Sequence, residues 1–200
     1  DPLMNPDLLV ESVRQFRAGE GPGTVNCNTN ASRTDAVIRL AEAGLTSMRV
    51  SLNSARPELY NRYYRPSGYT FDDVRASIRE ARSRGVWVSL NLLVFPGVTD
   101  TEEELDALAH LVGENGVSMI QWRNLNIDPE WYFKLMSGGE GPEKLELSPS
   151  MGLTSFMKRL KKLCPWLRYG YFNPYLGEKA ELTAPMPGEW TMPAPRAREA

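Results

Sequence analysis

The chain alternates between segments typical of strands and segments typical of helices, and this order is the strongest constraint on its fold. The strand-like runs recur at intervals of roughly 20 to 40 residues, with an amphipathic helical pattern between successive runs. Such spacing indicates parallel strands joined by right-handed crossovers. The sequence therefore predicts an α/β fold, either a doubly wound sheet or a section of a (β/α) barrel.

The predicted elements follow one another regularly in the first two thirds of the chain. Strands are predicted in TVNCNTN, SMRVSLN, VWVSLNLLVF and VSMIQWRNL, with helices in RTDAVIRLAEAG, FDDVRASIREARSRG and TDTEEELDALAHLVGENG. Either Thr99 or Thr101 caps the third of these helices. Residues 126–150 are then predicted as a long loop, and MGLTSFMKRLKKL as a helix.

We expect three regions. Residues 1–128 hold four strand–helix units, residues 129–180 form a C-terminal extension, and the Pro-rich residues 181–200 form a disordered or surface-bound tail. Within the extension, WLRYGYFNPYL is interpreted as a strand that covers the core, with a substrate or partner surface as the alternative.

Composition argues against several classes of partner. The net charge of −2 comes from intermixed acids and bases, so we expect neither nucleic acid nor a membrane as partner. No run approaches the ~20 apolar residues that cross a bilayer. The two cysteines are too few for a disulfide framework, so we expect buried free thiols and a cytoplasmic protein. Because a helix signal follows Asp1 directly, we also expect a piece of a longer protein.

One face of each predicted strand is polar, although buried parallel strands are usually apolar on both faces. Residues two apart share a face, and the polar ones are Asn26, Asn28, Asn30, Arg49, Ser51, Asn53, Ser89, Asn91, Gln121 and Arg123. A buried polar group without a partner costs about 1–3 kcal/mol. Since ligands of parallel α/β folds bind at the carboxyl ends of the strands, the pattern favours a barrel interior lined for a small polar ligand over internal hydrogen bonding.

Four segments carry a resemblance to a known family. They are NTNAS after the first strand, RVSLNS on the second, VSLNLLVFPGVTDTEEEL on the third and IQWRNLNID on the fourth. Over residues 1–128 they resemble strands three to six of the (β/α)₆ core of the radical SAM (S-adenosylmethionine) superfamily. The resemblance is to the branch of molybdenum-cofactor synthesis enzymes and pyruvate formate-lyase activases, and it implies a partial TIM barrel.

The resemblance also implies two cofactors, SAM and a [4Fe-4S] cluster. In such enzymes a CxxxCxxC loop after strand one binds the cluster, and a Gly-Gly-Glu segment after strand two binds the amino group of SAM. Neither motif stands at the matching place, so the chain is expected to start just past them, to hold no metal ligand and to be inactive alone. Gly138, Gly139 and Glu140 spell the second motif, but they follow the fourth strand and are interpreted as an exposed turn.

The residues that end the first two strands are the first part of the predicted SAM site. The resemblance places Thr29 and Asn30 near the methionyl part of SAM. It places Ser51 and Asn53 near the carboxylate or the ribose. Two positions depart from the family pattern, because many relatives carry Asp where this chain has Asn53 and Lys where it has Ser89.

The third and fourth strands supply the rest of the predicted SAM site. Asn91 matches a position that hydrogen-bonds the ribose or carboxylate, and Arg123 is the candidate for a bidentate carboxylate contact. The exit of the third strand is expected to meet the adenine through Phe95, Gly97 and Val98, where Gly97 allows a close approach.

The segment ARPELYNRYYRPSG follows the second strand, where barrel enzymes build their sites. Two interpretations stay open. In one, the tyrosines pack beneath the segment and the arginines face solvent or helix ends. In the other, the segment is a loop that closes over an anionic or peptidic substrate. Its candidate contacts are Arg56, Tyr60, Arg62, Tyr63, Tyr64 and Arg65.

The expected function of the complete protein is that of a radical SAM enzyme. It cleaves SAM reductively and takes a hydrogen atom from an unknown small-molecule or peptide substrate, with a reductant such as flavodoxin or ferredoxin as partner. The alternative is a cluster-free (β/α) binding module without catalysis. The acids Glu102, Glu103 and Glu104 begin a predicted helix and are interpreted as favourable charges for its dipole.

Overall fold

The fold is built on a parallel sheet with helices packed against it. The computed structural model describes residues 1–19, 23–138, 148–170 and 183–194. The strands are β1 (Asn26–Thr29), β2 (Ser47–Leu52), β3 (Trp87–Val94), β4 (Met119–Asn124) and β5 (Arg168–Tyr169). The helices are α1 (Pro6–Ala18), α2 (Thr34–Glu42), α3 (Pro57–Tyr64), α4 (Phe71–Ser83), α5 (Glu102–Asn115), α6 (Pro129–Ser137) and α7 (Leu153–Leu163).

Successive strands are neighbours in the sheet, in the order β1-β2-β3-β4-β5, and every pair is parallel. A doubly wound sheet reverses its strand order at a switch point, whereas a barrel section keeps it. The prediction of a section of a (β/α) barrel is therefore confirmed. The extension adds β5 beside the four predicted strands.

The face of the sheet that the helices cover is apolar. Val50 of β2 and Leu90 of β3 are fully buried, and they belong to one core with Ile78 of α4 and Leu108 of α5. Burying a side chain of this size stabilises a fold by about 1.5–3 kcal/mol. This layer therefore fixes which residues of each strand face the helices.

Helix α5 begins at a side-chain cap that the sequence predicts. The Thr101 hydroxyl accepts a hydrogen bond from the Glu104 amide at 3.3 Å, which makes Thr101 the cap of α5. Thr99 instead accepts from the Phe95 amide at 2.9 Å and closes the turn after β3. The two threonines thus define the turn that follows β3 and the start of α5.

The prediction of one long loop over residues 126–150 is wrong in its first half, because α6 lies there. Asp128 caps this helix by accepting from the Trp131 amide at 2.7 Å, and Pro129 occupies its first turn. Gly138 ends the helix with a φ of 80°. The rest of the supposed Gly-Gly-Glu turn lies outside the described residues.

The C-terminal third packs back onto the barrel section. Helix α7 contacts α5, and within the aromatic stretch Arg168–Tyr169 form β5, which pairs with β4. Residues 171–176 of that stretch lie outside the described residues. No helix in the described ranges has the length and apolar character to span a membrane.

Residues 183–194 lie on the surface that α4 and α5 form. Arg82 donates to the Ala184 carbonyl at 2.5 Å, and the Gly188 amide donates to the Glu114 carbonyl at 3.2 Å. The indole of Trp190 lies over Gly113, where an added Cβ would sit 2.2 Å from the ring. Of the two alternatives for the tail, the described part is surface-bound.

Candidate functional site

A pocket of about 180 Å³ opens at the carboxyl ends of β2, β3 and β4. We call it the polar pocket, and its lining is Ser51, Leu52, Tyr63, Tyr64, Asn91, Leu93, Arg123, Asn124 and Asn126. Ser51 pairs in register with Asn91, and Leu93 with Arg123, so these side chains point to the same side of the sheet. The structure brings together five predicted site residues, of which Ser51, Asn91 and Arg123 belong to the SAM site and Tyr63 and Tyr64 to the substrate segment. It adds Asn124 at the end of β4 and Asn126 just after it.

The polar pocket lies beside two arginines. Burial lowers the pKa of Arg49, and the positive charge of Arg123 lowers it further. The five described strands contain no Asp or Glu. Because guanidinium groups bind carboxylates in bidentate fashion, this interior is suited to a ligand with an anionic end.

Two amide oxygens near the polar pocket have no hydrogen-bond partner among the described residues. They are Oδ1 of Asn91 and Oε1 of Gln121, which are buried and adjacent in register. A buried acceptor left unpaired costs about 1–3 kcal/mol. A bound ligand that donates a hydroxyl or amine hydrogen would recover this free energy.

Thr29 and Asn30 do not line the polar pocket. Thr29 pairs in register with Val50 and is buried on the helix-covered side of the sheet. Its hydroxyl donates to the Asp1 carboxylate at 2.9 Å, and the backbone N–H of Asn30 donates to the same carboxylate at 2.6 Å. Asp1, which the sequence reasoning did not single out, is thereby held at the carboxyl end of β1. The only feature of the sequence that could have indicated this role is the acidic side chain directly before Pro2, at the start of a helical turn.

Asn53 is enclosed beneath the first helix that follows β2. It is 1% exposed, and its amide donates to the Leu59 carbonyl at 3.1 Å. The same nitrogen lies 3.7 Å from Sδ of Met136 in α6. In the structure Asn53 thus joins α3 to α6 and lies outside the lining of the polar pocket.

The exit of β3 packs against α6. Val98 is fully buried in a second apolar cluster with Tyr132, and the rings of Phe95 and Tyr132 lie 5.2 Å apart. The Gly97 amide donates to the Asp100 carboxylate at 2.6 Å, with a φ of 81° at Gly97. None of the three predicted adenine contacts lines the polar pocket, although Phe95 and Gly97 keep partial exposure.

The predicted substrate loop is a helix, α3, and its tyrosines divide between the two interpretations. Tyr60 is fully buried and stacks on Tyr64 with ring centroids 4.6 Å apart, as the packing interpretation expects. Tyr63 and Tyr64 line the polar pocket, and burial raises the pKa of Tyr64 well above its usual value. Tyr60 and Tyr64 are one helical turn apart on the same face of α3, so the division follows from how deeply each ring is buried and not from the helical period.

The arginines of the same segment also have different surroundings. Arg56, which precedes α3, lies with Nε 3.3 Å from the Glu104 carboxylate. Arg62 donates to the Met136 carbonyl at 2.6 Å, at the end of α6. Arg65 ends α3 in the left-handed conformation and is exposed. Arg62 and Arg65 therefore lie on the side of α3 that faces α6.

Comparison with known proteins identifies the family. The sequence profile of the Radical SAM superfamily matches residues 1–111, which is more than half of the chain. The chain belongs to the radical SAM superfamily. This confirms the resemblance carried by the first strands and does not favour the alternative of a binding module. The match also sets the polar pocket within a family that uses SAM and a [4Fe-4S] cluster.

Individual relatives share parts of this radical SAM chain. A GTP 3',8-cyclase of Hydrogenovibrio crunogenus is 28% identical over 123 residues, which are 60% of this chain and 35% of that protein. The chain thus spans about a third of the curated relative it matches. Among solved structures, the methyltransferase TsrM of Kitasatospora setae, with cobalamin and a [4Fe-4S] cluster bound, is 24% identical with a TM-score of 0.44, covering 60% of this chain and 23% of its own. Methylornithine synthase (PylB) is 16% identical with a TM-score of 0.47, covering 92% and 60%.

The cysteines of this radical SAM chain do not fit a cluster site. Cys27 lies on β1 and Cys164 after α7, and both are buried. Burial raises the pKa of the Cys27 thiol to about 11 and that of Cys164 to about 12, which disfavours the thiolate that binds iron. No group of three or more metal-ligating side chains occurs in the described ranges.

A buried carboxyl group holds the turn between β2 and α3, next to the polar pocket, and the sequence did not predict this role. Glu104 in α5 is fully buried and accepts hydrogen bonds from the Ser54 hydroxyl, the Ala55 amide at 2.7 Å and Arg56 Nε at 3.3 Å. Burial raises its pKa from 4.5 to about 7, against these donors, which lower it. Glu104 therefore fixes the turn between β2 and α3. Its position within an acidic run gave no signal of this burial.

Proposed function

We propose that the polar pocket binds the part of SAM that runs from the methionyl carboxylate to the ribose, as part of a radical SAM enzyme. The observation that carries this proposal is the convergence of Ser51, Asn91 and Arg123 at the carboxyl ends of three strands in a chain of this family. In the complete enzyme, a reduced [4Fe-4S] cluster supplies the electron that cleaves SAM to methionine and a 5′-deoxyadenosyl radical, which takes a hydrogen atom from a substrate.

The donors and acceptors of the polar pocket match those of SAM. Arg123 offers a guanidinium for the carboxylate, and the unpaired Oδ1 of Asn91 accepts from a ribose hydroxyl. Ser51 can donate to either group. A volume of about 180 Å³ is below the roughly 300–1,000 Å³ of pockets that enclose a whole ligand. The polar pocket therefore suits part of SAM rather than the whole molecule.

The other predicted contacts take different roles in this proposal. The Asp1 carboxylate, held by Thr29 and Asn30, stands at the edge of the sheet where it can meet an ammonium group. Phe95 and Gly97 keep enough exposure to meet the adenine. Asn53 and Val98 are enclosed, so we assign them the support of α3 and α6.

The complete enzyme needs an electron donor, and we propose a flavodoxin or ferredoxin because reductive cleavage consumes one electron. Free thiols at Cys27 and Cys164 suit a reducing cytoplasm. The substrate is a small molecule or peptide, and Tyr63 and Tyr64 are the residues of α3 placed to contact it. Both rings already line the polar pocket.

Equilibrium binding of SAM to the whole protein tests this proposal. Arg123→Gln removes the carboxylate partner, so the dissociation constant is expected to rise about tenfold or more, the usual loss for a charged hydrogen bond. After anaerobic loading with iron and sulfide, 5′-deoxyadenosine formation at subsaturating SAM is expected to fall in parallel.

Arg168→Gln is the matched control. Arg168 lies on β5 and pairs in register with Met119, at the amino end of β4, whereas Arg123 lies near the carboxyl end of that strand. Its guanidinium lies over the Trp87 ring. Its loss is expected to leave SAM affinity unchanged. Equal SAM affinity in Arg123→Gln and the wild type would contradict the proposed site.

A further inference from the structure

A second depression lies on the other side of α3 from the polar pocket. It measures about 630 Å³, and we call it the α3–α6 groove after the helices that form it. Its side walls are Asn61, Arg62, Arg65, Trp131, Lys134 and Leu135. Three of these side chains are cationic and none is acidic. The described lining therefore favours a ligand with negative charge.

Two cations of the groove make no ion pair with another described residue. Arg65 and Lys134 are both exposed, and no carboxylate in the described ranges lies within salt-bridge distance of either. Arg62 is fixed differently, because it donates to the Met136 carbonyl at 2.6 Å. The groove thus combines one anchored guanidinium with two cations on its rim.

Arg65 stands in a conformation that normally belongs to glycine. It ends α3 with a φ of 46° and a ψ of 57°, where L residues with a Cβ are strained. A glycine would complete this helix end without strain. An arginine at this position puts its positive charge on the wall of the groove at a cost to stability, and such a residue is a candidate for function.

The groove also has an apolar side. Trp131 is 50% exposed in the first turn of α6, and Leu135 follows one helical turn later on the same face. Half-exposed tryptophans next to arginines are typical of the residues that anchor peptide ligands. The groove therefore offers an apolar contact beside its cations.

Helix α3 connects the groove with the polar pocket. Tyr63 and Tyr64 point into the pocket, whereas Asn61, Arg62 and Arg65 line the groove. A helix with its side chains is about 10 Å across, and an extended peptide advances about 3.3 Å per residue. A substrate that reacts with SAM at the pocket therefore needs an extended chain of at least about three residues to reach the groove.

We propose that the α3–α6 groove binds an acidic segment of a peptide substrate, away from the reacting residue. The inference rests on the proposed function, because that function places SAM in the polar pocket and the reaction therefore beside it. Glutamate or aspartate side chains of the peptide pair with Arg65 and Lys134, and an apolar side chain packs on Trp131. The groove then selects which peptide reaches the bound SAM.

Separate carboxylates suit this groove better than a phosphate group. Arg65 and Gly138 end α3 and α6, so both helices direct the negative ends of their dipoles at the groove. These ends oppose any anion, and they oppose a dense cluster of negative charge more than single carboxylates that are spaced along a peptide and each meet one cation. The open shape also admits a chain that continues at both ends.

Fluorescence anisotropy with the whole protein tests this inference. The probes are a short labelled peptide of alternating Glu and Leu, the same peptide with Gln for Glu, and inorganic triphosphate as competitor. We expect the acidic peptide to bind about tenfold tighter than its amide form, as for the loss of one or two charged contacts. Triphosphate is expected to compete only weakly.

Arg65→Gly is the decisive variant, because it separates binding from folding. It removes the cation and also relieves the left-handed strain, so the melting temperature is expected to stay the same or rise while affinity for the acidic peptide falls severalfold. Arg65→Lys keeps the charge and retains most of the affinity. Arg14→Gln, on the exposed face of α1, is the matched control and changes neither quantity.

Each contrary result overturns the inference in a recognisable way. Equal affinity for the Glu and Gln peptides removes the acidic substrate, and triphosphate that binds tighter than the peptide replaces it with a phosphate ligand. A lower melting temperature with unchanged peptide affinity in Arg65→Gly shows a helix-capping role only. SAM binding is measured on the same variants and is expected to stay at the wild-type level. A wild-type protein that does not bind SAM at all would reject the proposed function and not this inference alone.

Discussion

The two faces of the sheet are made by alternate residues of the same strands, yet they have opposite chemistry. On one face Val50 and Leu90 are fully buried beneath helices. On the other, Ser51 and Asn91 line a polar pocket, and Asn91 has a buried oxygen without a partner among the described residues. The period of two in a strand places these functions one residue apart. Stability and ligand binding can therefore be changed separately by substitutions at neighbouring positions.

The largest effect is expected on the helix-covered face. Leu90→Ala leaves a cavity in the central strand β3, which costs about 2–5 kcal/mol of unfolding free energy. Denaturant unfolding of the whole protein measures this loss. Ser51→Ala, on the adjacent strand but on the other face, is the control and is expected to cost under about 1 kcal/mol. Comparable losses in both variants would erase the distinction between the faces.

The next largest effect is expected at the turn that joins β2 to α3. Glu104→Gln places an amide among the donors of Ser54, Ala55 and Arg56, so at neutral pH it is expected to cost about 1–3 kcal/mol. Denaturant midpoints at a series of pH values measure this cost. SAM affinity is expected to weaken as well, because the turn positions Tyr63 and Tyr64.

The same substitution removes a pH dependence. The pKa of Glu104 is raised from 4.5 to about 7 in the folded state, so the folded protein binds this proton more tightly than the unfolded chain. The stability that the group contributes is therefore present in full below pH 4.5 and is lost as the pH rises to about 7. The wild type is expected to lose about 1–3 kcal/mol over this range relative to Glu104→Gln. Parallel pH profiles for the two proteins would show that Glu104 does not titrate there.

A smaller effect on stability and a clear one on binding are expected for Asn91→Ala. The change removes an unpaired buried oxygen, so unfolding free energy is expected to shift by less than about 1 kcal/mol. SAM affinity is expected to fall roughly fivefold to tenfold, since one hydrogen bond to the ligand is lost. Calorimetric titration with SAM measures this change. A variant that loses stability but keeps its SAM affinity would assign Asn91 to the core.

The smallest effect sets the scale for surface charges. Arg159 of α7 pairs with Glu102 of α5, and both side chains are about half exposed. Arg159→Gln is expected to cost at most about 0.5 kcal/mol, and less in high salt. Chemical unfolding at low and high ionic strength measures it. A larger cost would mean that α7 depends on this pair to pack on α5.

Local patterns in the sequence were sufficient for the sheet and the positions of most helices. The polar row of β2 and β3 was predicted because strand periodicity acts within a few residues, and the pairing of Ser51 with Asn91 confirms it. Helix α6 was missed although Asp128 and Pro129 give a helix start, because the Gly-rich sequence that follows suggested a loop. The helix start was therefore present in the sequence, but the glycines after it were given more weight.

Other features depend on contacts between distant residues, which local patterns do not encode. Glu104 belongs to a run of three acids, and only the packing of α5 under the β2–α3 turn distinguishes it from its exposed neighbours. The division of the α3 tyrosines between core and pocket likewise follows from where α6 and β3 lie. The roles of Thr29, Asn53 and Val98 toward SAM stay predictions.

The absence of a side chain at Gly113 determines how residues 183–194 attach to the rest of the chain. The indole of Trp190 occupies the space that a methyl group at Gly113 would fill, and its nitrogen points to the Leu163 carbonyl at 3.4 Å. The ring also lies edge-on to His110 at 5.7 Å. An added Cβ at Gly113 is expected to displace this ring, so the difference in tryptophan emission between Gly113→Ala and the wild type reports whether residues 183–194 are seated.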